Sequence, residues 1–195
     1  MPLRWEEVGV VLLGAGRGTR FGRDKLAEPL LGRPLIRHAA RVLAALPLAR
    51  RVVVTGPATP DLADLGFARV SIAGPDLPQS ASLAEGVSAL GDYGLRAILV
   101  ALGDMPLITS AHLETLRLAF DGNRPVCSAL AEAHCPPALF PLSLGSRLVA
   151  QSGDQGGRAL LREALSVPAG RDILLDVDRP GDLAEARAVL SVRSG

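Results

Sequence analysis

Residues 12–26 read LLGAGRGTRFGRDKL, and this stretch is the strongest indication of the fold. It follows the apolar run Val8–Leu13 directly, as a loop follows a strand that is buried on both faces. Its four glycines allow the backbone to approach a ligand closely and to present amide groups to anionic oxygens. Arg17, Arg20 and Lys25 add fixed positive charge. Because α/β sheets bind phosphate groups beyond the carboxyl ends of their strands, the stretch predicts a phosphate-binding loop on such a sheet.

Two well-known phosphate loops do not match this stretch. The dinucleotide fingerprint G-x-G-x-x-G/A matches Gly14 and Gly16, but Thr19 stands in its last position and no acidic residue ends the second strand. The ATP/GTP loop G-x-x-x-x-G-K-[ST] is absent. A Gly-rich turn with solvated charges is the structural alternative, and the density of glycines and cations makes it the weaker one. A different NTP-binding loop is therefore predicted.

The rest of the chain alternates strand-like and helix-like segments. The predicted strands are Val8–Leu13, Arg51–Val54, Ala68–Ile72, Ala97–Leu102, Pro125–Ala129 and Ile173–Val177. The predicted helices are Pro34–Leu46, Ser82–Leu90, Ser110–Phe120, Gly157–Leu165 and Pro180–Leu190, and Thr109 or Ser110 can cap the third. This order predicts a three-layer α/β fold with a mostly parallel sheet, in one domain over residues 1–195. Residues 130–157, rich in Pro and Gly, are expected to form an irregular substrate loop region.

Composition argues against several classes of function. A formal net charge of +1 and an aromatic content of 3% disfavour a nucleic-acid partner. No apolar run approaches the roughly 20 residues that span a bilayer, and Val8–Leu13 is too short for the apolar part of a signal peptide, so we expect no membrane partner. The only two cysteines, Cys127 and Cys135, do not have zinc-site spacing. We therefore expect two free thiols in a cytoplasmic protein.

Together with Gly32-Arg33-Pro34-Leu35, the loop resembles a family signature, L-x-x-G-x-G-x-R-[MF]-G-x-x-K-x-L…G-[KR]-P-L. The family is that of the molybdenum cofactor nucleotidyltransferases (MobA-like NTP transferases), and the resemblance is closest to its cytidylyltransferases of the MocA-like kind. It implies the Rossmann-like nucleotide-diphospho-sugar transferase fold, with the loop wrapped around an NTP triphosphate. It also implies catalytic roles for Arg20 and Lys25, which would neutralise phosphate charge. The loop residues that it assigns to the nucleotide are Leu13, Gly14, Ala15, Gly16, Arg17, Gly18, Thr19, Arg20 and Lys25. Gly14 departs slightly from the signature, where Ala often stands.

A second motif follows the fourth predicted strand, where Ala97–Leu102 runs into Gly103-Asp104-Met105-Pro106-Leu107. A carboxylate at this strand end lies at the same sheet edge as the phosphate loop, and Mg²⁺ takes one or two carboxylates together with phosphates and water. The alternative is a turn Asp that caps the next helix. The segment resembles the family pattern G-D-[MQ]-P-L-[IV]-T, which implies that Asp104 is a catalytic metal ligand and that Gly103 and Asp104 contact the nucleotide.

A third motif, residues 176–183, reads DVDRPGDL and resembles the family pattern D-[IV]-[DN]-T-P-x-D-L. By that resemblance Asp178 completes the metal site and Asp176 is the reserve ligand. Arg179 replaces the usual Thr. The alternative is that Asp178 only caps a helix beginning at Pro180.

Two further segments resemble substrate-recognition regions of the family. Residues 78–83 (PQSASL) are similar to a segment that reads base and ribose, which implies nucleotide contacts for Ser80 and Ser82; a Ser helix cap is the alternative. Residues 152–161 (SGDQGGRALL) are similar to the segment G-D-x-G-[AG]-R-x-L-L, and a Gly-rich helix start with an arginine can bind an anion. The residues that the resemblance implies for acceptor binding are His134, Asp154, Gly156, Gly157 and Arg158.

The motifs extend from residue 12 to residue 183 and together imply one reaction. A Mg²⁺-dependent nucleotidyltransferase would move CMP from CTP to the phosphate of molybdopterin and release pyrophosphate, with a molybdoenzyme client as a further partner. The alternatives are a GTP-dependent guanylyltransferase, a sugar-phosphate nucleotidyltransferase, and a non-catalytic chaperone that delivers the molybdenum cofactor to a dehydrogenase.

Overall fold

The computed structural model of the chain describes residues 1–14, 25–57, 59–72, 78–91, 93–151 and 156–194. Its strands are β1 (Val8–Gly14), β2 (Pro29–Leu30), β3 (Arg33–Pro34), β4 (Arg50–Thr55), β5 (Ala68–Ser71), β6 (Ala97–Leu102), β7 (Val126–Leu130), β8 (Ala133–Pro141) and β9 (Leu165–Pro168). Its α-helices are α1 (Leu35–Ala44), α2 (Gln79–Ser88), α3 (Ser110–Ala119), α4 (Gly145–Val149), α5 (Arg171–Leu174) and α6 (Pro180–Ser194). Two 3₁₀ helices matter for the site, Lys25–Ala27 and Gly156–Leu161.

Seven strands form one sheet in the order β5-β4-β1-β6-β8-β7-β9, and β2 pairs with β3 in a separate hairpin. Strand β8 is antiparallel to both of its neighbours, and the other pairs of the large sheet are parallel. At the centre, Val11 of β1 lies between Val52 of β4 and Val100 of β6. Every residue of β1 is buried, which explains why this strand is a continuous apolar run rather than an alternating one.

Helices cover both faces of the sheet and complete three layers. On one face, Val10 and Leu12 of β1 join a core cluster with residues of α1, α3 and α6. On the other face, Val11 and Leu13 join a cluster with residues of α2 and α4. Because successive side chains of a strand point to opposite faces, one short run supplies both cores. Because β1 is parallel to both β4 and β6, the carboxyl ends of these three strands lie together at one edge of the sheet.

Most of the predicted elements are confirmed. Strands β1, β4, β5, β6 and β7 begin and end within one residue of the predicted bounds. Helices α1, α2, α3 and α6 are also present, although α2 begins three residues early and α6 ends four residues late. Thr109 caps α3, since its hydroxyl oxygen accepts a hydrogen bond from the amide of His112 at 3.1 Å. The three-layer, mostly parallel α/β architecture is confirmed.

Two predicted elements are wrong. The predicted strand Ile173–Val177 is the short helix α5 followed by an extended segment, whose apolar residues are buried against a helix-covered face of the sheet rather than paired in it. The predicted helix Gly157–Leu165 is a 3₁₀ helix, after which Leu165 begins β9 along the edge of β7. In both places burial produced the apolar pattern, and the pattern did not identify the type of element.

The expectation of an irregular region over residues 130–157 is also wrong in part. It contains strand β8, which lies between β6 and β7, and helix α4. Proline lacks an amide donor and is rare inside sheets, so Pro136, Pro137 and Pro141 concealed this strand. The register between β7 and β8 shifts between Cys127 and Ser128, opposite Pro136 and Pro137. Among the helices of the described ranges, none combines the length and the apolar character that crossing a membrane requires.

Candidate active site

Three segments far apart in the chain meet at the carboxyl ends of β1 and β6. The amide of Gly103 donates to the carbonyl oxygen of Leu13 at 2.9 Å, which ties the two strand ends together. The amide of Val177 donates to the carbonyl oxygen of Asp104 at 3.0 Å, which brings the segment before α6 alongside. These backbone bonds place Asp104 and the third motif next to each other.

Lys25, from the 3₁₀ helix after the phosphate-loop stretch, lies between the carboxylates of this cluster. Its Nζ is 2.8 Å from Oδ2 of Asp104, 3.0 Å from Oδ1 of Asp178 and 3.9 Å from Oδ1 of Asp176. It also donates to the carbonyl oxygen of Val177 at 2.9 Å. Only 11% of the Lys25 side chain is exposed. We call these four side chains the Lys25 cluster.

The groups of the Lys25 cluster change one another's pKa values. Burial lowers the pKa of Lys25, but the charges and hydrogen bonds of the three carboxylates outweigh burial, so the pKa lies above its ordinary value. Burial, followed by the negative charge of Asp104, raises the pKa of Asp176 to about 7, although Lys25 acts in the opposite direction. Lys25 is therefore an ammonium group at neutral pH, whereas Asp176 titrates near neutrality.

The carboxylates also retain oxygen atoms that a divalent cation can use. Oδ1 of Asp104 and Oδ1 of Asp176 are buried and have no hydrogen-bond partner among the described residues, although 45% of the Asp176 side chain is exposed. A buried polar atom without a partner is unfavourable, and Mg²⁺ accepts such oxygen ligands. Within the described part of the chain, no three or more His, Cys, Asp or Glu side chains form a ready-made metal site. The residues thus fit an ion that completes its coordination with phosphates and water.

The alternative role for Asp178, a cap on α6, does not agree with the geometry. Oδ2 of Asp182 accepts from the amides of Asp178 and Arg179 at 3.0 and 2.9 Å, so Asp182 makes the hydrogen bonds at the start of α6. The carboxylate of Asp178 instead accepts from Lys25. Asp182 thereby fixes the backbone from which Asp178 projects toward the cluster.

The end of β1, where the phosphate-loop stretch begins, is held by close packing and by one buried threonine. A Cβ at Gly14 would lie 2.9 Å from the carbonyl oxygen of Val54, so the Ala of the family signature would require β4 to shift. The hydroxyl of Thr59, a residue only 4% exposed, donates to the carbonyl oxygen of Gly14 at 3.0 Å and accepts from the amide of Gly56 at 3.1 Å. Sequence reasoning missed Thr59, because a lone threonine in a loop gives no signal.

Other predicted site residues lie elsewhere or outside the described residues. Helix α2 begins at Gln79, so Ser80 and Ser82 are buried in its first turns and neither is its N-cap. Nδ1 of His134 on β8 is 2.6 Å from the carbonyl oxygen of Leu161. This hydrogen bond joins β8 to the end of a 3₁₀ helix whose first residues are Gly156, Gly157 and Arg158. The predicted residues outside the described ranges are Ala15, Gly16, Arg17, Gly18, Thr19, Arg20 and Asp154.

Comparison with known proteins identifies the family. The model of the MobA-like NTP transferase domain matches residues 10–168, from within β1 to the end of β9. The chain therefore belongs to this family of nucleotidyltransferases. The matched range includes Lys25 and Asp104 and ends before Asp176 and Asp178.

Among curated proteins, the bifunctional protein GlmU of Rhizorhabdus wittichii is 32% identical over 117 residues, covering 57% of this chain and 25% of that protein. The chain spans about a quarter of the length of the first GlmU proteins that it matches.

Solved structures share the fold over nearly the whole chain. A homologue of Mycobacterium tuberculosis Rv0371c from Mycobacterium sp. strain JC1 has a TM-score of 0.81 at 24% identity, covering 97% of this chain and 100% of that one. Rv0371c of M. tuberculosis in complex with manganese has a TM-score of 0.72 at 20% identity, with coverages of 93% and 97%. Molybdopterin-guanine dinucleotide biosynthesis protein A of Archaeoglobus fulgidus has a TM-score of 0.66 at 17% identity, with coverages of 94% and 97%. The architecture is that of the Rossmann-like nucleotide-diphospho-sugar transferases.

Proposed function

We propose that this nucleotidyltransferase moves CMP from CTP to the phosphate of molybdopterin and releases pyrophosphate. The observation that carries the proposal is the Lys25 cluster, in which Nζ of Lys25 lies 2.8 Å from Asp104 and 3.0 Å from Asp178. The cluster lies at the carboxyl ends of β1 and β6, the edge at which α/β sheets bind nucleotides. The basic, Gly-rich stretch that follows Gly14 begins at the same edge.

Asp104 and Asp178 are the proposed metal ligands, with Asp176 as the reserve ligand. A Mg²⁺ ion bound there would polarise phosphate oxygens and balance their charge. Support comes from the buried oxygens of Asp104 and Asp176 that accept no hydrogen bond from the described residues, and from the manganese complex of the structural neighbour Rv0371c. Asp182 maintains the position of Asp178 through the backbone amide that it accepts from.

The chain's other residues position the reactants and oppose developing negative charge. An oxygen of the acceptor phosphate attacks the α-phosphorus of the NTP and forms a new P–O bond. The P–O bond to the β-phosphate breaks, and its electron pair leaves with pyrophosphate. Lys25 and Arg20 are proposed to neutralise the triphosphate, and the amides from Gly14 to Gly18 to bind its oxygens. No covalent protein intermediate is required, because positioning and charge stabilisation suffice.

The choice of base and acceptor rests on the resemblance of residues 78–83 and 152–161 to recognition segments of the family. Ser80 and Ser82, in the first turns of α2, are the proposed base and ribose contacts. The proposed acceptor region joins His134, Asp154 and the 3₁₀ helix that begins at Gly156, and the hydrogen bond from His134 to Leu161 holds β8 and this helix together. The molybdopterin-guanine dinucleotide protein among the structural neighbours supports a pterin acceptor.

Pyrophosphate release tests the proposal. The purified protein is incubated in Mg²⁺ with CTP, GTP, ATP or UTP, and with molybdopterin or a hexose 1-phosphate as the acceptor. We expect release only with CTP and molybdopterin. Release with GTP would assign a guanylyltransferase, and release with the hexose phosphate would assign a sugar-phosphate enzyme. Nucleotide binding without any release would indicate the cofactor chaperone and contradict the proposal.

A pair of variants assigns the activity to the site. Asp104→Asn keeps the shape of the side chain and removes its charge, and we expect it to lower kcat at least about 100-fold. Asp172→Asn is the matched control, because Asp172 is an exposed carboxylate on α5 outside the Lys25 cluster. Equal loss in both variants, or none in Asp104→Asn, would remove Asp104 from the catalytic site.

A further inference from the structure

A cavity away from the Lys25 cluster lies on the face of the sheet that α1, α3 and α6 cover. Its volume is about 310 Å³, close to the lower end, about 300 Å³, of the range for small-molecule sites. The walls come from β3, α1, the loop before α3 and the end of α6. Arg33, Arg41, Arg193 and His38 line it, and none of its lining residues is acidic. We call it the arginine cavity.

Among the described residues, no carboxylate forms an ion pair with an arginine of this cavity. The side chains of Arg33 and Arg41 are exposed and form no hydrogen bond or ion pair with the described residues. The charge of Arg41 contributes to lowering the pKa of Asp64, but the largest contribution is the hydrogen bond from Arg37. Asp64 forms its ion pair with Arg37 rather than with Arg41.

Arg193 is a fixed cation of the cavity. It donates to the carbonyl oxygens of Leu107 and Asp172 at 2.9 and 2.7 Å, which holds the guanidinium in place, and it forms no ion pair with a carboxylate of the described residues.

Two further features of the cavity favour an anion. Thr109, the N-cap of the ten-residue helix α3, and Ser110 are part of its wall, so the positive end of the helix dipole adds to the arginine charge. Burial lowers the pKa of His38, and the charges of Arg33 and Arg41 lower it further, although a hydrogen bond with the carbonyl oxygen of Leu30 acts in the opposite direction. The effect of the two arginines on this pKa shows that the electrostatic potential at His38 is positive.

The remaining wall is apolar and includes Val42, Ile108 and Leu190. We infer that the arginine cavity is a second ligand site, which binds a phosphorylated small molecule. Its phosphate faces the arginines, whose planar guanidinium groups match phosphate oxygens in pairs. Its apolar part lies against the three aliphatic residues.

This site is distinct from the Lys25 cluster but adjoins it through one loop. Pro106 and Ile108 line the cavity and follow Asp104 by two and four residues. A ligand in the cavity therefore contacts the loop that carries Asp104, although no residue of the Lys25 cluster lines the cavity.

Calorimetric titration with phenyl phosphate and with inorganic phosphate tests this inference. We expect saturable binding of phenyl phosphate, tighter than that of inorganic phosphate, because only the ester has an apolar part for the aliphatic wall. Equal affinities would show that free phosphate is the only ligand and would contradict the assignment to a phosphorylated small molecule. Absence of saturable binding would overturn the site.

Variants locate the binding. The double change Arg33→Ala and Arg41→Ala should weaken phenyl phosphate at least tenfold and leave the melting temperature unchanged, since neither side chain has a partner in the described fold. Arg147→Ala, at an exposed arginine of α4 on the other face, should leave the affinity unchanged. Lys25→Met should also retain the binding. Loss in Lys25→Met with none in the double variant would place the phosphate at the active site and refute the second site.

Discussion

Replacing Lys25 by Met removes the positive charge from a cluster of three carboxylates while it keeps an unbranched side chain. Lys25 is the only lysine among 195 residues. Its Nζ lies 2.8 Å from Asp104, 3.0 Å from Asp178 and 2.9 Å from the carbonyl oxygen of Val177. Breaking a buried ion pair by removing one partner costs about 3–5 kcal/mol. Because 51% of the Asp178 side chain is exposed, water screens that pair, and we expect a loss near the lower end, about 3 kcal/mol.

Urea unfolding in EDTA measures this loss, with Trp5 as the fluorescent probe. Trp5 is the single tryptophan and is 8% exposed in the fold. The expected result is a lower midpoint with an unchanged m-value. Addition of Mg²⁺ should then stabilise Lys25→Met more than the wild type, because the ion no longer competes with the Lys25 ammonium group for the carboxylates.

Arg4→Met is the control for the loss of a surface ion pair, since 66% of the Arg4 side chain is exposed, and it should cost less than about 1 kcal/mol. A loss in Lys25→Met no larger than in this control would show that the contacts of Lys25 with the three carboxylates do not stabilise the fold.

Three other substitutions test separate parts of the account. The native pKa of Asp176, about 7, exceeds the unfolded value, so the folded wild type binds an extra proton between about pH 4 and 7 and loses stability as the pH rises through that window. In Asp176→Asn, the stability measured by urea unfolding in EDTA should therefore decline less over this window and exceed that of the wild type above pH 7. An unchanged pH profile would contradict this. In Gly86→Ala, the new Cβ would lie 2.4 Å from Cγ1 of Val11. The overpacking should cost about 1–3 kcal/mol and exceed the gain in helix propensity of about 1 kcal/mol, so we expect a lower melting temperature by circular dichroism. A higher melting temperature would disprove the tight contact of α2 with the sheet. In Thr59→Val, the loss of the hydrogen bond to Gly14 should cost about 1–3 kcal/mol of stability. We also expect the KM for the nucleotide to rise more than kcat falls. An unchanged KM would show that Thr59 does not position the loop that follows Gly14.

The central strands and their carboxyl-end motifs could be predicted from sequence because their signals are local. Strand β1 and strand β6 read as apolar runs, since helices cover both faces of the sheet and bury them. Asp104 lies two residues beyond the end of β6, so the position of the strand also predicted the position of the carboxylate.

The partners within the site could not be predicted in this way. Lys25 contacts Val177 and Asp178 across 152 and 153 residues of sequence, and no local pattern encodes such a pairing. The same applies to Asp182, which accepts from two amides before α6, whereas the carboxylate of Asp178 accepts from Lys25. Sequence placed both residues in one motif, but only the fold distinguished their roles.

Strand β8 shows a different limit. Three prolines make its sequence atypical of a strand, yet the fold places it between β6 and β7. Tertiary pairing overcame the local preference, as it did where β9 replaced the end of a predicted helix.

The fate of the α-phosphorus of CTP decides whether this chain catalyses nucleotidyl transfer. The protein is incubated with Mg²⁺, molybdopterin and CTP that carries ³²P at either the α- or the γ-position. We predict that the α-label appears in the pterin product and the γ-label in pyrophosphate, and that both transfers are lost in Asp104→Asn and retained in Asp172→Asn. Recovery of the α-label only in CTP or CMP would contradict the proposed reaction.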